Sequence, residues 1–124
     1  MKKLLIIPAL LFLFTSCYDR ERKCADFKTG KFKFDFEVDG KKKTTIFERT
    51  ENMEIDYFEG KQDTSSIRWI NNCEYILQKM HPKNRHEKRA IHMKILTTKE
   101  NSYTFEFSNV GDTQKQRGTV YKIN

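Results

Sequence analysis

The sequence predicts an all-β fold, an antiparallel meander of about eight strands that forms a small barrel or a strongly curved sheet. Apolar and charged residues alternate with a period of two along most of the chain, which is typical of strands with one buried face. Turn residues separate these alternating segments at short intervals. The links are too short for crossovers, so strands adjacent in sequence are expected to pair antiparallel.

The first predicted strand shows the alternation most clearly. Phe32, Phe34, Phe36 and Val38 share one face, and charged residues occupy the other. Asp39-Gly40 follows and is a strong signal for a two-residue hairpin turn. The later strands are predicted within 44–48, 53–57, 64–70, 73–78, 91–95, 103–107 and 119–123.

Eight aromatic residues are expected to point into the barrel, whose architecture is lipocalin-like at the level of the fold alone. An eight-stranded barrel is just wide enough for side chains to fill it or to hold one small ligand. We expect a filled core, and the alternative is a pocket for an apolar ligand. These residues are Phe32, Phe34, Phe36, Tyr57, Trp69, Tyr75, Phe105 and Phe107.

The N-terminus is typical of a bacterial lipoprotein signal peptide. Lys2-Lys3 form a short basic head, and residues 4–14 are almost continuously apolar. This run is shorter than the ~20 apolar residues that span a bilayer, and it matches a secretory h-region. Thr15-Ser16 are small and directly precede Cys17, the expected site of lipidation. The alternative is an ordinary secretory signal followed by a chance cysteine.

The signal peptide sets the predicted domain organisation. Residues 1–16 are the signal peptide, 17–26 are the lipidated cysteine and a polar tether, and 27–124 are a single β domain. One acyl chain binds a membrane only marginally. The cysteine resembles the lipoprotein pattern of a diacylglyceryl thioether, often with a further N-acyl chain, which implies an anchor of two or three chains. Tyr18 follows the cysteine where an inner-membrane retention signal has Asp, so we expect an outer-membrane lipoprotein of the cell envelope, with the leaflet undetermined.

The other two cysteines, Cys24 and Cys73, are expected to form a disulfide, because the predicted compartment is oxidising. Closing a loop of about 50 residues stabilises a fold by about 4 kcal/mol in the chain-entropy account. The alternative is a pair of buried free thiols.

A basic loop at 81–89 is the strongest local concentration of positive charge. By itself it is expected to be a solvated connection between strands. The alternative is a contact with an envelope protein or with anionic lipid head groups. Its basic residues are Lys83, Arg85, Lys88 and Arg89.

Patterns typical of catalysis, metal binding or nucleic-acid binding are weak. His81 and His86 are loosely spaced among cations, so we expect no metal and no cofactor. Ser65-Ser66 and Ser108 lie in no recognisable nucleophile motif, so a non-enzymatic protein is expected. Residues 31–36 interleave basic and aromatic side chains but do not meet the RNP1 pattern, so no nucleic-acid partner is expected.

Several segments resemble a family of short bacterial lipoproteins. The similarity covers most of residues 17–123, and it implies an envelope lipoprotein without implying a mechanism. Some members carry the label "DNA topoisomerase IV" through transfer of a description. The sequence does not support that activity, because it contains no recognisable ATP-binding loop and no domain that could cleave DNA. The segments are Cys17, Phe27-Lys28-Thr29-Gly30, Arg68-Trp69-Ile70-Asn71-Asn72-Cys73-Glu74-Tyr75, Tyr103-Thr104-Phe105-Glu106-Phe107, Gly111-Asp112-Thr113 and Arg117-Gly118-Thr119.

The sequence therefore leads to two hypotheses about function. The first is a non-enzymatic envelope lipoprotein whose β domain is an interaction or assembly module. The alternative is a carrier that holds a small apolar ligand inside the aromatic barrel. The interior volume separates them, because a carrier needs a cavity of roughly 300 Å³ or more.

Overall fold

The computed structural model describes residues 21–124. The predicted signal peptide and the predicted lipidation site Cys17 lie outside the described residues. Within 21–124, no helix is long and apolar enough to cross a membrane.

The described chain is almost entirely β structure. A short 3₁₀ helix at Cys24–Phe27, here called the plug helix, precedes eight strands. The strands are β1 (Gly30–Val38), β2 (Lys41–Arg49), β3 (Met53–Phe58), β4 (Lys61–Asn71), β5 (Glu74–Lys79), β6 (Ile91–Thr98), β7 (Ser102–Asn109) and β8 (Gln116–Lys122).

Each strand pairs antiparallel with the next, and β1 pairs with β8 to close the barrel. Phe32 lies opposite Lys122 at this seam, and Phe34 lies opposite Val120. The predicted all-β meander is confirmed, and the closed barrel is the form that it takes. Closure gives each of the eight described strands a neighbour on both sides, which protects the sheet from pairing with another strand.

Two of the turns are tight hairpins made by an acidic residue and a glycine. Asp39 and Gly40 have φ of 51° and 76°, and Glu59 and Gly60 have φ of 49° and 75°. Positive φ at both central residues matches the right-handed twist of the flanking strands. The predicted Asp39-Gly40 turn is therefore confirmed.

The two ends of the barrel are built differently. At one end, here called the closed end, lie the plug helix and the turns at 50–52, 72–73 and 99–101. The disulfide between Cys24 and Cys73 fastens the plug helix there, which confirms the predicted pairing. The opposite end, here called the open end, carries the two tight turns, the basic loop and the link at 110–115.

The plug helix belongs to the folded domain. Cys24 and Phe27 are each only 1% exposed and pack within the main hydrophobic cluster. Arg22 Nη1 also donates to the backbone oxygen of Ile95 over 3.0 Å. The predicted boundary at residue 27 is therefore wrong, because the packed structure begins by Cys24.

Strand β3 faces the opposite way from the prediction. Glu54, Asp56 and Phe58 face the interior, whereas Tyr57 lies on the outer face and is 39% exposed. The assignment of Tyr57 to the pocket or core is thus wrong. The reason is register: Arg49 pairs with Glu54 across the β2–β3 ladder, and both side chains point inward.

The last strand also begins earlier than predicted. Gly118 lies within β8 and pairs with Phe105, whereas the predicted strand began at residue 119. A Cβ atom at Gly118 would lie 2.9 Å from ring atoms of both Phe105 and Phe34. Glycine is needed here because two aromatic rings pack against its backbone.

Candidate functional site

Most of the predicted aromatic residues do face the interior, at different depths. Phe32, Tyr75 and Phe105 are almost completely buried. The rings of Phe32 and Phe47 stack with centroids 5.1 Å apart near the closed end. The half-buried rings are Phe34, Phe36, Trp69 and Phe107.

Trp69 and Tyr75 form a pair near the closed end, with ring centroids 4.5 Å apart. Lys28 Nζ lies 5.0 Å from the centre of the Trp69 ring, which allows a cation–π contact. Trp69 is therefore part of the packing around the disulfide rather than of the cavity wall.

The interior is not filled by these rings. A cavity of about 210 Å³ lies inside the barrel. A second cavity of about 370 Å³ adjoins it at the open end, and both are lined by Glu54, Asp56, Leu77 and Ile91. The apolar side chains around the inner cavity are Phe34, Phe47, Leu77, Ile91, Met93, Phe105, Phe107 and Val120.

The basic loop forms part of the rim of the outer cavity. His86, Glu87 and Arg89 from this loop line that cavity together with Lys79. Arg89 is held by Asp112, with Nη2 and Oδ1 2.9 Å apart. Of the predicted interaction residues, Arg89 thus lies at an opening into the barrel.

The other predicted loop residues contribute less to the rim. The Lys83 backbone N–H donates to Glu87 Oε2 over 2.7 Å, which helps to fix the conformation of the loop. Arg85 and Lys88 are exposed. Contact of this loop with a partner stays a prediction.

Arg49 is the polar centre of the barrel interior and is 3% exposed. Its Nε and Nη2 atoms donate to Glu54 Oε1 over 3.3 and 3.0 Å. Its Nη1 donates to the backbone oxygen of Phe27 in the plug helix over 2.8 Å. Nη2 also donates to the hydroxyls of Tyr75 and Tyr103 over 2.8 and 3.0 Å.

Burial alone would lower the pKa of Arg49, but Tyr75, Tyr103 and Glu54 raise it overall. The guanidinium also lies 4.9 Å from the ring centres of both Phe32 and Tyr75. A buried charge is tolerated when it is paired and hydrogen-bonded. Here the charge is paired with Glu54, and each of the three guanidinium nitrogens donates at least one hydrogen bond. Arg49 therefore joins the plug helix to β3, β5 and β7.

Asp56 occupies a different position from Glu54. It lines the inner cavity, the outer cavity and a third cavity of about 460 Å³ beside the turn at 59–60. Burial and the charges of Glu54 and Asp63 raise the pKa of Asp56 to about 7. Asp56 lies directly opposite Asp63 in the β3–β4 ladder. Like charges in such cross-strand pairs are destabilising, so a proton or a cation at Asp56 is favoured.

The carboxylates around Asp56 already have partners. Glu54 is paired with Arg49, and Asp63 Oδ2 lies 2.9 Å from Lys79 Nζ. Lys79 Nζ is also 2.9 Å from Glu87 Oε1. Among residues 21–124, no hydrogen bond or salt bridge joins Asp56 to another side chain.

Sequence reasoning missed Arg49, Glu54 and Asp56, because the second predicted strand ended at residue 48 and Tyr57 was predicted to point inward, which places the two neighbouring acids on the outer face. The signal that could have found Arg49 is its spacing of two from Phe47, which puts both side chains on the inner face of β2. Within the described part of the chain, no group of three or more His, Cys, Asp or Glu residues could hold a metal ion.

Comparison of the chain with protein-family models, with curated proteins and with solved structures finds no match.

Proposed function

We propose that this protein is a lipid-anchored protein of the cell envelope, of the outer membrane, whose barrel binds a small apolar ligand. The carrier hypothesis is supported best by one observation, the inner cavity of about 210 Å³ that adjoins the outer cavity of about 370 Å³. The inner cavity alone is smaller than the roughly 300 Å³ that a carrier needs, but the two adjoining cavities together exceed it. Pockets that hold small molecules are mostly apolar and contain a few well-placed polar groups. The inner cavity has this composition, with eight apolar residues around Arg49, Glu54 and Asp56. The proposal assigns the cavity to binding rather than to catalysis.

The first described residues lie at the closed end, opposite the open end of the barrel. The Lys23 backbone N–H donates to Thr98 Oγ1 over 2.8 Å at the closed end. The chain therefore enters the domain from that end, and an anchor at Cys17 would precede this entry by six residues. An extended segment of that length spans up to about 20 Å. With lipid on Cys17, the membrane would lie beyond the closed end, and the cavity would open away from it.

The interaction module remains the second candidate, supported by the exposed side chains of Arg85 and Lys88 at the open end. An envelope protein is the favoured partner of this loop. Head groups of the anchoring membrane are disfavoured, because the proposed tether enters at the opposite end.

Native mass spectrometry separates the two candidates. Residues 18–124, which include every strand, the plug helix and the disulfide, would be purified gently from the envelope of the host. An added mass that denaturation removes supports the carrier. A bare polypeptide mass contradicts it and leaves the interaction module.

Two variants on one strand locate the added mass. Leu77 lines the inner cavity, whereas the adjacent Ile76 faces outward on β5. Leu77→Trp should abolish the added mass by filling the cavity, and Ile76→Trp should leave it unchanged. Loss in both variants, or in neither, would contradict binding in the barrel.

The anchor has its own test in the full-length chain. Cys17→Ser should release the protein from the membrane fraction, and Leu77→Trp should not. Continued membrane association of the Cys17→Ser protein would contradict the lipid anchor without bearing on the cavity.

A further inference from the structure

Within residues 21–124, the inner cavity has one charged side chain that forms no hydrogen bond or salt bridge. Its charged lining residues are Arg49, Glu54 and Asp56. Arg49 and Glu54 form a buried ion pair, with 3.0 Å between Nη2 and Oε1. The remaining charged residue is Asp56, which lies at the junction of the inner and outer cavities.

Arg49 offers nothing to an anionic ligand. Its guanidinium donates to a carboxylate, to a backbone oxygen and to two tyrosine hydroxyls. Aromatic rings of Phe32 and Tyr75 lie beside it, 4.9 Å from ring centre to guanidinium carbon. A carboxylate or phosphate entering the cavity would meet Asp56 and Glu54 without gaining a free cation.

The size of the inner cavity limits the ligand. Pockets for drug-sized molecules measure roughly 300–1,000 Å³. At about 210 Å³, the inner cavity suits a short apolar body whose polar end reaches the junction at Asp56.

We infer that the ligand is a small primary amine, with its apolar body in the inner cavity and its ammonium group on the Asp56 carboxylate. This inference rests on the proposed function, since it needs the cavity to bind a ligand. A cation at this point also offsets the repulsion between Asp56 and Asp63, which face each other across the ladder. An ammonium–carboxylate hydrogen bond in a partly desolvated site is stronger than a neutral one.

The charges around Asp56 come from four strands and the basic loop. Glu54 on β3 and Asp63 on β4 raise the pKa of Asp56, and Arg49 on β2 and Lys79 on β5 lower it. On the loop side, His86, Glu87 and Arg89 line the outer cavity. Of these, Lys79 is held by Asp63 and Glu87, and Arg89 by Asp112.

Three unbranched probes of eight carbons each test the inference: octylamine, octan-1-ol and octanoate. Their binding to residues 18–124 would be measured by titration calorimetry at pH 8. We expect octylamine to bind about tenfold tighter than octan-1-ol, because a charge-assisted hydrogen bond replaces a neutral one. Octanoate should bind weakest of the three.

The pH dependence gives a second measurement that needs no variant. Octylamine stays protonated at both pH 6 and pH 8, whereas Asp56, with a pKa of about 7, loses most of its charge at pH 6. The affinity of the protein for octylamine should therefore be several-fold lower at pH 6 than at pH 8. The affinity for octan-1-ol should not change. His86 also lines the outer cavity, so the fall must persist in His86→Gln.

Two matched variants complete the experiment. Asp56→Asn should remove the advantage of octylamine over octan-1-ol, and Asp35→Asn, on the exposed face of β1, should retain it. If the unmodified chain bound octylamine and octan-1-ol equally, or bound octanoate most tightly, the inference of an amine ligand would be overturned. The carrier function would still stand. Absence of binding by all three probes would instead overturn the carrier, and the amine with it.

Discussion

The Nη2 atom of Arg49 lies 3.0 Å from Oε1 of Glu54, and the two side chains are 1% and 8% exposed. This pair holds β2 and β3 in a register that turns two acids into the barrel. It also fixes the plug helix, because the same guanidinium binds the Phe27 backbone oxygen. One buried ion pair thereby sets both the closure of one end and the polarity of the cavity.

Replacing Arg49 by Met should destabilise the fold by about 3–5 kcal/mol, because Glu54 would become a buried charge without its partner. Urea unfolding at pH 7 measures the effect. The double variant Arg49→Met and Glu54→Leu should recover part of the loss, since it removes both charges.

Lys31 supplies the matched control for Arg49. It lies 3.9 Å from Glu48 in a pair whose side chains are 44% and 48% exposed. Lys31→Met should change the free energy of unfolding by no more than about 1 kcal/mol. Equal effects of the two substitutions would show that the Arg49 network does not stabilise the barrel.

Removing the disulfide should loosen the plug helix and destabilise the domain. The Cys24–Cys73 bond joins residues 49 positions apart, for which the chain-entropy account gives about 4 kcal/mol. The variant Cys24→Ala with Cys73→Ala should unfold at lower urea concentration than the oxidised parent chain. A reducing agent should lower the stability of the parent nearly to that of the variant and leave the stability of the variant unchanged. If the reductant also destabilised the variant, the loss of stability could not be assigned to the disulfide.

Asp56 should make stability fall as pH rises. Its pKa increases from an ordinary 3.8 to about 7 on folding, so the folded state holds a proton that the unfolded state has lost. The stabilisation is fully present below pH 3.8 and is lost as the pH rises through 7, with a total of at most about 4 kcal/mol.

The matched comparison is Asp56→Asn, which cannot ionise. Urea unfolding of the parent and the variant at pH 5, 6, 7 and 8 isolates this carboxyl from every other titrating group. The difference in stability should move in favour of the variant as pH increases. A constant difference over this range would contradict the raised pKa.

The fold could be predicted from the sequence because most strands keep apolar residues on one face. Strand β1, with Phe32 and Phe34 inward, and the Asp39-Gly40 turn follow local rules that the tertiary structure does not override. The two cysteines could be paired because only two remained for an oxidising compartment.

Strand β3 shows where such rules fail. Alternation predicts that its apolar residues Ile55 and Tyr57 face the interior. In the structure, Glu54 and Asp56 face the interior instead. The energy that decides the orientation comes from the hydrogen bonds of Arg49, whose partners are distant in sequence. A long-range polar network of this kind leaves no period in the sequence, so the acids of the cavity could not be assigned from it.

Gly118 should not tolerate even the smallest side chain, because a Cβ atom would clash with two aromatic rings. A second substitution can relieve this clash. A Cβ atom there would lie 2.9 Å from Phe105 Cζ and 2.9 Å from Phe34 Cε2. Gly118→Ala should destabilise the barrel by about 1–3 kcal/mol, because both rings would have to move toward the inner cavity that they line. Phe105→Leu removes one of these rings, so Gly118→Ala should cost less in that background. Urea unfolding of the parent, both single variants and the double variant gives the coupling. Strict additivity would contradict the ring contact and place the cost of Gly118→Ala in the backbone of β8.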